Sequence, residues 1–380
     1  MDSEFNSRRQ FLLLSALSVE GLFGTSNAYS TAGNRMEGEY FLLGDGVRGN
    51  ETLSGGKRYI SRPGRVIIWR YKQQLSEAVN LSFLPHSFAA HPAMPHRVVT
   101  FEKWGKHMAE VDLLTKRVVR VTQAPHGRRF FGHGVHAGQY IYATQMDDER
   151  GRGLVAVMDG VDHSVLYEYE TQGVYPHDCQ LQKDGTTLLL VNSRSHAGVN
   201  APPDSRSSLV WMDMRSGTCL KQQFIGGGRY GYAHFVHTAD EYIVLSGSHN
   251  LASGSSAPLL AIIRPDGSEQ ILDVEAAAAE TLRGEVLSLF VDEHEGELFA
   301  TLPNANRLQI WNYHGGKLLR QINFVEPRGL AYSDELKSVL ASSAQDKKLY
   351  LPGQTGNKQS DMSPLPGHAG NGSHIFRLAL

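Results

Sequence analysis

Apolar positions along this chain come in short runs rich in Val, Ile, Leu and aromatic residues, each ended by Gly, Asp, Asn or Pro. Such runs predict strands, and their close spacing predicts a sandwich, a barrel or a propeller. Helical periodicity is nearly absent, and Val274–Arg283, with its four consecutive alanines, is the one segment that reads as a helix. Laid over one another, the strands form a repeat. One unit runs Ser288-Leu-Phe-Val, Leu298-Phe-Ala-Thr, Arg307-Leu-Gln-Ile-Trp-Asn, a Gly-Gly turn, then Lys317-Leu-Leu-Arg-Gln-Ile. Another runs His177-Asp-Cys-Gln-Leu, Thr187-Leu-Leu-Leu-Val-Asn, Leu209-Val-Trp-Met-Asp, a Ser-Gly turn, then Cys219-Leu-Lys-Gln-Gln-Phe.

First strands of the repeat begin at His86, His133, His177, His234, Ser288, Arg328 and His374. Their mean separation of about 48 residues is that of a four-strand propeller blade. The expected fold is therefore all-β, a seven-bladed β-propeller, with a six-bladed ring as the alternative. The last blade joins both chain ends: His374-Ile-Phe-Arg-Leu inside, then Tyr40–Leu43, Val66–Arg70 and Val79–Phe83. That closure removes a bare strand edge. The stretch from Pro352 to Gly372 is rich in Gly, Ser and Asn and reads as loop.

The N-terminus has a different pattern. Ser7-Arg8-Arg9-Gln10-Phe11-Leu12-Leu13 leads into an apolar run ending near Phe23, then into the small residues Ser26-Asn27-Ala28. A basic start, a short apolar core and a small-residue cleavage site predict a secretory signal, and the paired arginines place it in the twin-arginine class. The run is too short for a spanning helix and contains Glu20. The expected organisation is a signal peptide over residues 1–28, a single propeller over 36–380, and a periplasmic mature chain with no integral membrane segment. A net charge of −2 gives no electrostatic footprint for nucleic acid. With only Cys179 and Cys219 there is no disulfide framework and no thiolate metal cluster; the two can pair in an oxidising compartment, but two separately buried thiols are expected.

In a propeller the first strand of each blade lines the central channel. Histidine at five of seven equivalent starts predicts a ring of imidazoles around one axis: His86, His133, His177, His234 and His374. Imidazole suits Zn, Cu, Fe and Ni. Two other readings stay open. The histidines can be structural, bonded within their own blades. Alternatively, Arg328 and Ser288, at the two remaining starts, can help line a site for an anion such as a carboxylate or phosphate. His136 and His237 fall three residues after ring members, on the opposite strand face, and read as packing residues. The remaining histidines, His163 among them, read as surface residues. The charged loop Asp147, Asp148, Glu149, Arg150, Gly151, Arg152, together with His196 one blade on, is a candidate rim that gates the channel or holds a partner; a solvated turn is the plainer reading. No phosphate loop, nucleophile elbow or zinc-protease helix occurs.

Three stretches carry a family likeness: Phe131-Gly-His-Gly-Val-His, Tyr142-Ala-Thr-Gln-Met-Asp-Asp-Glu-Arg-Gly-Arg-Gly, and Gly173-Val-Tyr-Pro-His-Asp-Cys-Gln-Leu. With Pro85-His86, His91-Pro92 and the C-terminal Gly-Ser-His374, this order resembles the bacterial family catalogued as domain of unknown function 1513. The resemblance implies a seven-bladed periplasmic propeller exported by twin-arginine signals, found near imelysin-like, iron-linked proteins. It thus implies iron or copper at the ring, with zinc still open, and periplasmic metal-uptake proteins as partners. The leading expectation is metal handling at a His-lined channel. The alternatives are a metal-dependent hydrolase or oxidoreductase of the propeller type, and a protein-interaction scaffold; no residue pattern specifies a reaction.

Overall fold

The computed structural model describes residues 38–380 apart from 48, 54–55, 74, 194–205, 227–229, 251–255, 273, 275–281, 353–361 and 373. The twin-arginine segment, His196 and most of the expected helix over Val274–Arg283 lie outside the described residues.

Seven four-stranded antiparallel sheets form the blades, and a separate hairpin pairs Gly49–Leu53 with Gly56–Ile60. We number the blades along the chain by their innermost strands. These are Pro85–Ala90 in blade 1, Arg128–Ala137 in blade 2, Pro176–Leu181 in blade 3 and Gly231–His237 in blade 4. Leu289–Asp292, Pro327–Ser333 and Ile375–Ala379 follow in blades 5, 6 and 7. Each sheet is built outward from its inner strand in chain order, except the last. There Ile375–Ala379 pairs with Glu39–Gly46, followed by Gly64–Arg70 and Leu75–Leu81, with Leu42 opposite Phe376. Both chain ends thus share one blade. The Asn371 side-chain amide reinforces the joint, donating to the Gly46 carbonyl at 2.7 Å while its own oxygen accepts from the Gly46 N–H at 3.2 Å.

Second and third strands are buried on both faces and read as nearly unbroken apolar runs, for example Val66–Trp69 and Leu188–Val191. Outermost strands alternate or face solvent, as in Arg117–Gln123. Core clusters lie between neighbouring blades. One joins Leu42 and Ile68 of blade 7 to Val98 and Val111 of blade 1; another joins Leu189 of blade 3 to Leu245 of blade 4. The ring is therefore a continuous set of sheet-on-sheet contacts rather than seven separate cores.

Two local expectations are corrected. Within Pro352–Gly372, Met362–Pro364 is the outermost strand of blade 6, pairing with Leu349–Pro352. Leu365 and Ala369 are buried in the joint between blades 6 and 7. Gly, Ser and Asn content hid a segment anchored by a few apolar side chains. His163, expected at the surface, is buried, with Thr122 Oγ1 3.1 Å from its Nδ1. Cys179 and Cys219 are free thiols, Cys179 buried as expected and Cys219 only half-buried. Among the described residues no helix is long and apolar enough to cross a membrane.

Candidate metal centre

The inner strands do not run straight into the channel. In blades 1 to 4 and blade 6 the pairing with the second strand slips near the channel end. Pro85 and Ser87 face consecutive partners, leaving His86 as the extra residue; Pro176 and Asp178 do the same around His177. Such bulges bend a strand and re-aim its side chains. Hydroxyls on the second strands hold the bent backbone. Thr100 Oγ1 donates to the Ser87 carbonyl at 2.8 Å and Thr144 Oγ1 to the His133 carbonyl at 3.0 Å.

The outcome is a cluster of five imidazoles in which His133 lies 5.0–5.5 Å from each of the other four. Ring centroids of successive members lie 5.0 Å apart for His86–His133, 5.5 Å for His133–His177 and 4.6 Å for His177–His234. His234–His374 and His374–His86, at 4.6 Å each, close the circuit. His133 also reaches across, 5.2 Å from His234 and 5.0 Å from His374. Two triads bring one nitrogen per ring within 4.8 Å of one another: His86, His133 and His177, and His133, His234 and His374. Of the other two blade starts, Ser288 lines the cavity under the ring. Arg328 is half-buried, and its carbonyl accepts from Thr301 Oγ1 at 2.8 Å.

Histidine reasoning alone missed Asp178. Its carboxylate lies 3.2 Å from His133 Nδ1 and 3.8 Å from His234 Nδ1. The signal was in plain view, directly after His177, but strict alternation would send it to the other strand face. Burial opposes ionisation of Asp178, yet the His133 and His234 imidazoles beside it hold its pKa far below the ordinary carboxylate range. An anionic Asp178 accepts the Nδ1 proton of His133 and leaves the Nε2 lone pair for another partner, the carboxylate–imidazole arrangement found behind metal ligands. That Nε2, and the Nε2 of His177, are buried without a hydrogen-bond partner.

Burial, and then the charge of Lys103, drives the pKa of His86 and His177 well below the usual histidine range. Burial does the same to His374, and lowers His234 to about 4 against the opposing pull of Asp178. These are neutral imidazoles at pH 7, the form that donates a lone pair. Nε2 of His86 and Nε2 of His374 are 3.3 Å apart, about the edge of a tetrahedron with metal–nitrogen bonds of roughly 2.0–2.1 Å. Orphaned buried nitrogens, neutral rings and a carboxylate behind one of them fit a borderline transition-metal ion.

Two further groups frame the ring. Gly132 has φ of 110°, and a Cβ there would lie 2.6 Å from His86 Cδ2 and 3.1 Å from Lys103 Cβ. Trp104, Phe131 and Tyr175 pack beside it, with Phe131 5.7 Å from His177. The candidate rim loop is a closed turn. Asp147 Oδ1 accepts from the N–H groups of Glu149 and Arg150, and its carboxylate pairs with Arg128 at 3.1 Å. Arg129 holds Asp148 at 2.8 Å. His237 is a packing residue, bonded to Gln182 and Glu241.

Residues 80–369 match the family described as "Protein of unknown function (DUF1513)". The chain belongs to this family. The match takes in four of the five ring histidines and Asp178, with His374 beyond its end. No curated protein matches the DUF1513 chain. Solved structures share its architecture at low identity. A Kuenenia stuttgartiensis hydrazine synthase chain aligns with TM-score 0.58 and 14% identity, over 73% of this chain and 86% of that one. A candidate 6-phosphogluconolactonase from Bacteroides uniformis aligns with TM-score 0.59 and 11% identity, over 90% and 100%. A chain of the mitotic checkpoint complex gives 0.55 and 10%, over 76% and 79%. Proteins this different on one scaffold show the fold and no chemistry.

Proposed function

We propose that this DUF1513 chain is an exported periplasmic propeller that binds one first-row transition-metal ion at its imidazole ring and serves in metal handling. The carrying observation is a cluster of five imidazoles from different blades that forms two nitrogen triads sharing His133, with Asp178 behind His133 and two buried Nε2 atoms lacking partners. An all-nitrogen donor set suits copper, iron, nickel or zinc and disfavours calcium and magnesium, which require oxygen ligands. Iron or copper is the preferred occupant from the family resemblance, which also supplies the periplasmic setting and the metal-uptake partners. The Arg8-Arg9 leader supports export by the twin-arginine route.

The test is elemental analysis of chelator-stripped protein reloaded with Cu, Fe or Zn. About one ion per chain is expected, the load of a single shared imidazole site. The His133→Ala/His177→Ala variant must lose it. Unchanged loading in that variant, or no loading of the wild-type chain, overturns the reading.

A further inference from the structure

A cavity of about 220 Å³ lies under the ring. At one end it is lined by His133, His234 and His374, one of the two nitrogen triads, with Asp178 beside them. Its walls continue along the same inner strands to Phe88, Val236 and Phe376, each two residues beyond a ring histidine, to Leu289 and Leu330 of the blades that lack one, and to Gln180 of blade 3, whose amide is turned to the Phe235 carbonyl at 2.6 Å. Phe235 and Ile375, between those pairs, line the cavity as well, so a mainly apolar tier follows the imidazole tier. Ser87 and Ser288 supply hydroxyls between the two tiers.

We propose that this cavity seats a small monocarboxylate whose apolar body fills the lower tier and whose carboxylate completes the coordination of the ring-bound metal. This inference rests on the metal reading above. Three imidazole ligands would leave a metal ion with an open position, and the triad that lines the cavity would present that position to it. Charge selects the head group. A divalent ion with Asp178 as the one acid among the described lining residues leaves an excess of one positive charge, which a single anionic ligand offsets. The apolar walls select the body. A phosphate or a dicarboxylate would strand its remaining charge against Phe88, Val236, Leu330 and Phe376, whereas a hydrocarbon body gains from burial there. Size sets the class: an apolar cavity near 150 Å³ accommodates benzene, so this one suits a one-ring or branched short-chain acid.

The full-length mature protein is loaded with Co(II), whose visible spectrum reports coordination, and titrated with benzoate and isovalerate against acetate and inorganic phosphate. Benzoate and isovalerate should change the spectrum, saturate at one equivalent and bind at least tenfold tighter than acetate, with phosphate weakest. Val236→Phe, which narrows the apolar tier, should keep the metal and lose the advantage of benzoate over acetate. Should that variant fold poorly, Val236→Ala should shift preference toward a bulkier acid such as 4-methylbenzoate. A Co(II)-loaded protein whose spectrum ignores every acid, or ranks acetate or phosphate with benzoate, overturns the proposal and leaves the metal centre standing. Failure to load Co(II) or any other metal removes both.

Discussion

Among single residues, Asp178 and Gly132 decide whether the ring can act as a donor set. Asp178 fixes the His133 tautomer through Nδ1, and loss of such a partner costs about 10–100-fold in metal affinity. Asp178→Asn should therefore weaken metal binding by that factor in a chelator competition, with His133 still in place. An unchanged affinity would mean that His133 is not a ligand. Gly132 acts through space. Its φ of 110° and the 2.6 Å approach of a would-be Cβ to His86 Cδ2 exclude any side chain. Gly132→Ala should cost roughly 1–3 kcal/mol in urea unfolding and displace His86, so stability and metal loading should fall together. Gly134, also between ring and core, is barred for a different reason: a Cβ would meet Phe101 Cζ at 2.5 Å. The Gly-His-Gly motif is thus a packing solution that brings an imidazole to the axis.

Elements contribute the bulge and the hydroxyl that pins it. Thr144 is fully buried and donates to the His133 carbonyl; in blade 5, Thr301 Oγ1 accepts from the Ser288 N–H at 3.0 Å and donates into blade 6. Thr144→Val keeps the shape but leaves that carbonyl unpaired, which costs about 1–3 kcal/mol. Differential scanning calorimetry should show the lower melting temperature, and metal affinity should drop because the His133 backbone loses its anchor. Blade strands were readable from the chain because burial on both faces turns Leu188–Val191 or Val66–Trp69 into apolar runs between turn residues. The histidine starts were readable because the repeat aligns them. Asp178 was not, since its inward aim depends on a slip between two strands that no single strand encodes. His163 was misread for a related reason: it sits in a turn, where solvent is expected, but the neighbouring blade's Thr122 and Glu110 cover it. Met362–Pro364 lacks β-branched residues and is a strand only because Leu349–Pro352 offers it an edge.

For the molecule as a whole, closing the ring and burying its imidazoles are one problem, because His374 sits at the seam where both chain ends meet. The ring's neutral imidazoles tie global stability to pH. In the unfolded chain each histidine takes up a proton near pH 6.5. In the folded ring His86, His177 and His374 resist protonation well below that value, and His234 does so until about 4. Between those limits the unfolded state binds more protons, so stability rises with pH. It is fully present above about 6.5 and is lost as pH falls toward the folded values. Asp178 adds to the same trend at the acid end, since its lowered pKa makes its protonation unfavourable to the folded state. For His234 alone the difference amounts to on the order of 3 kcal/mol. Metal-free protein should accordingly show a flat urea midpoint from pH 8 to 7 and a steep decline from 6.5 to 4. Replacing His234 with Gln should flatten part of that decline, because one proton-binding difference is gone. Bound metal should delay the onset, since the ion holds the lone pairs that protons would take. A midpoint independent of pH between 6.5 and 4 would mean that the imidazoles meet water in the folded state, and a wet ring would lose the main physical reason for its neutral donors.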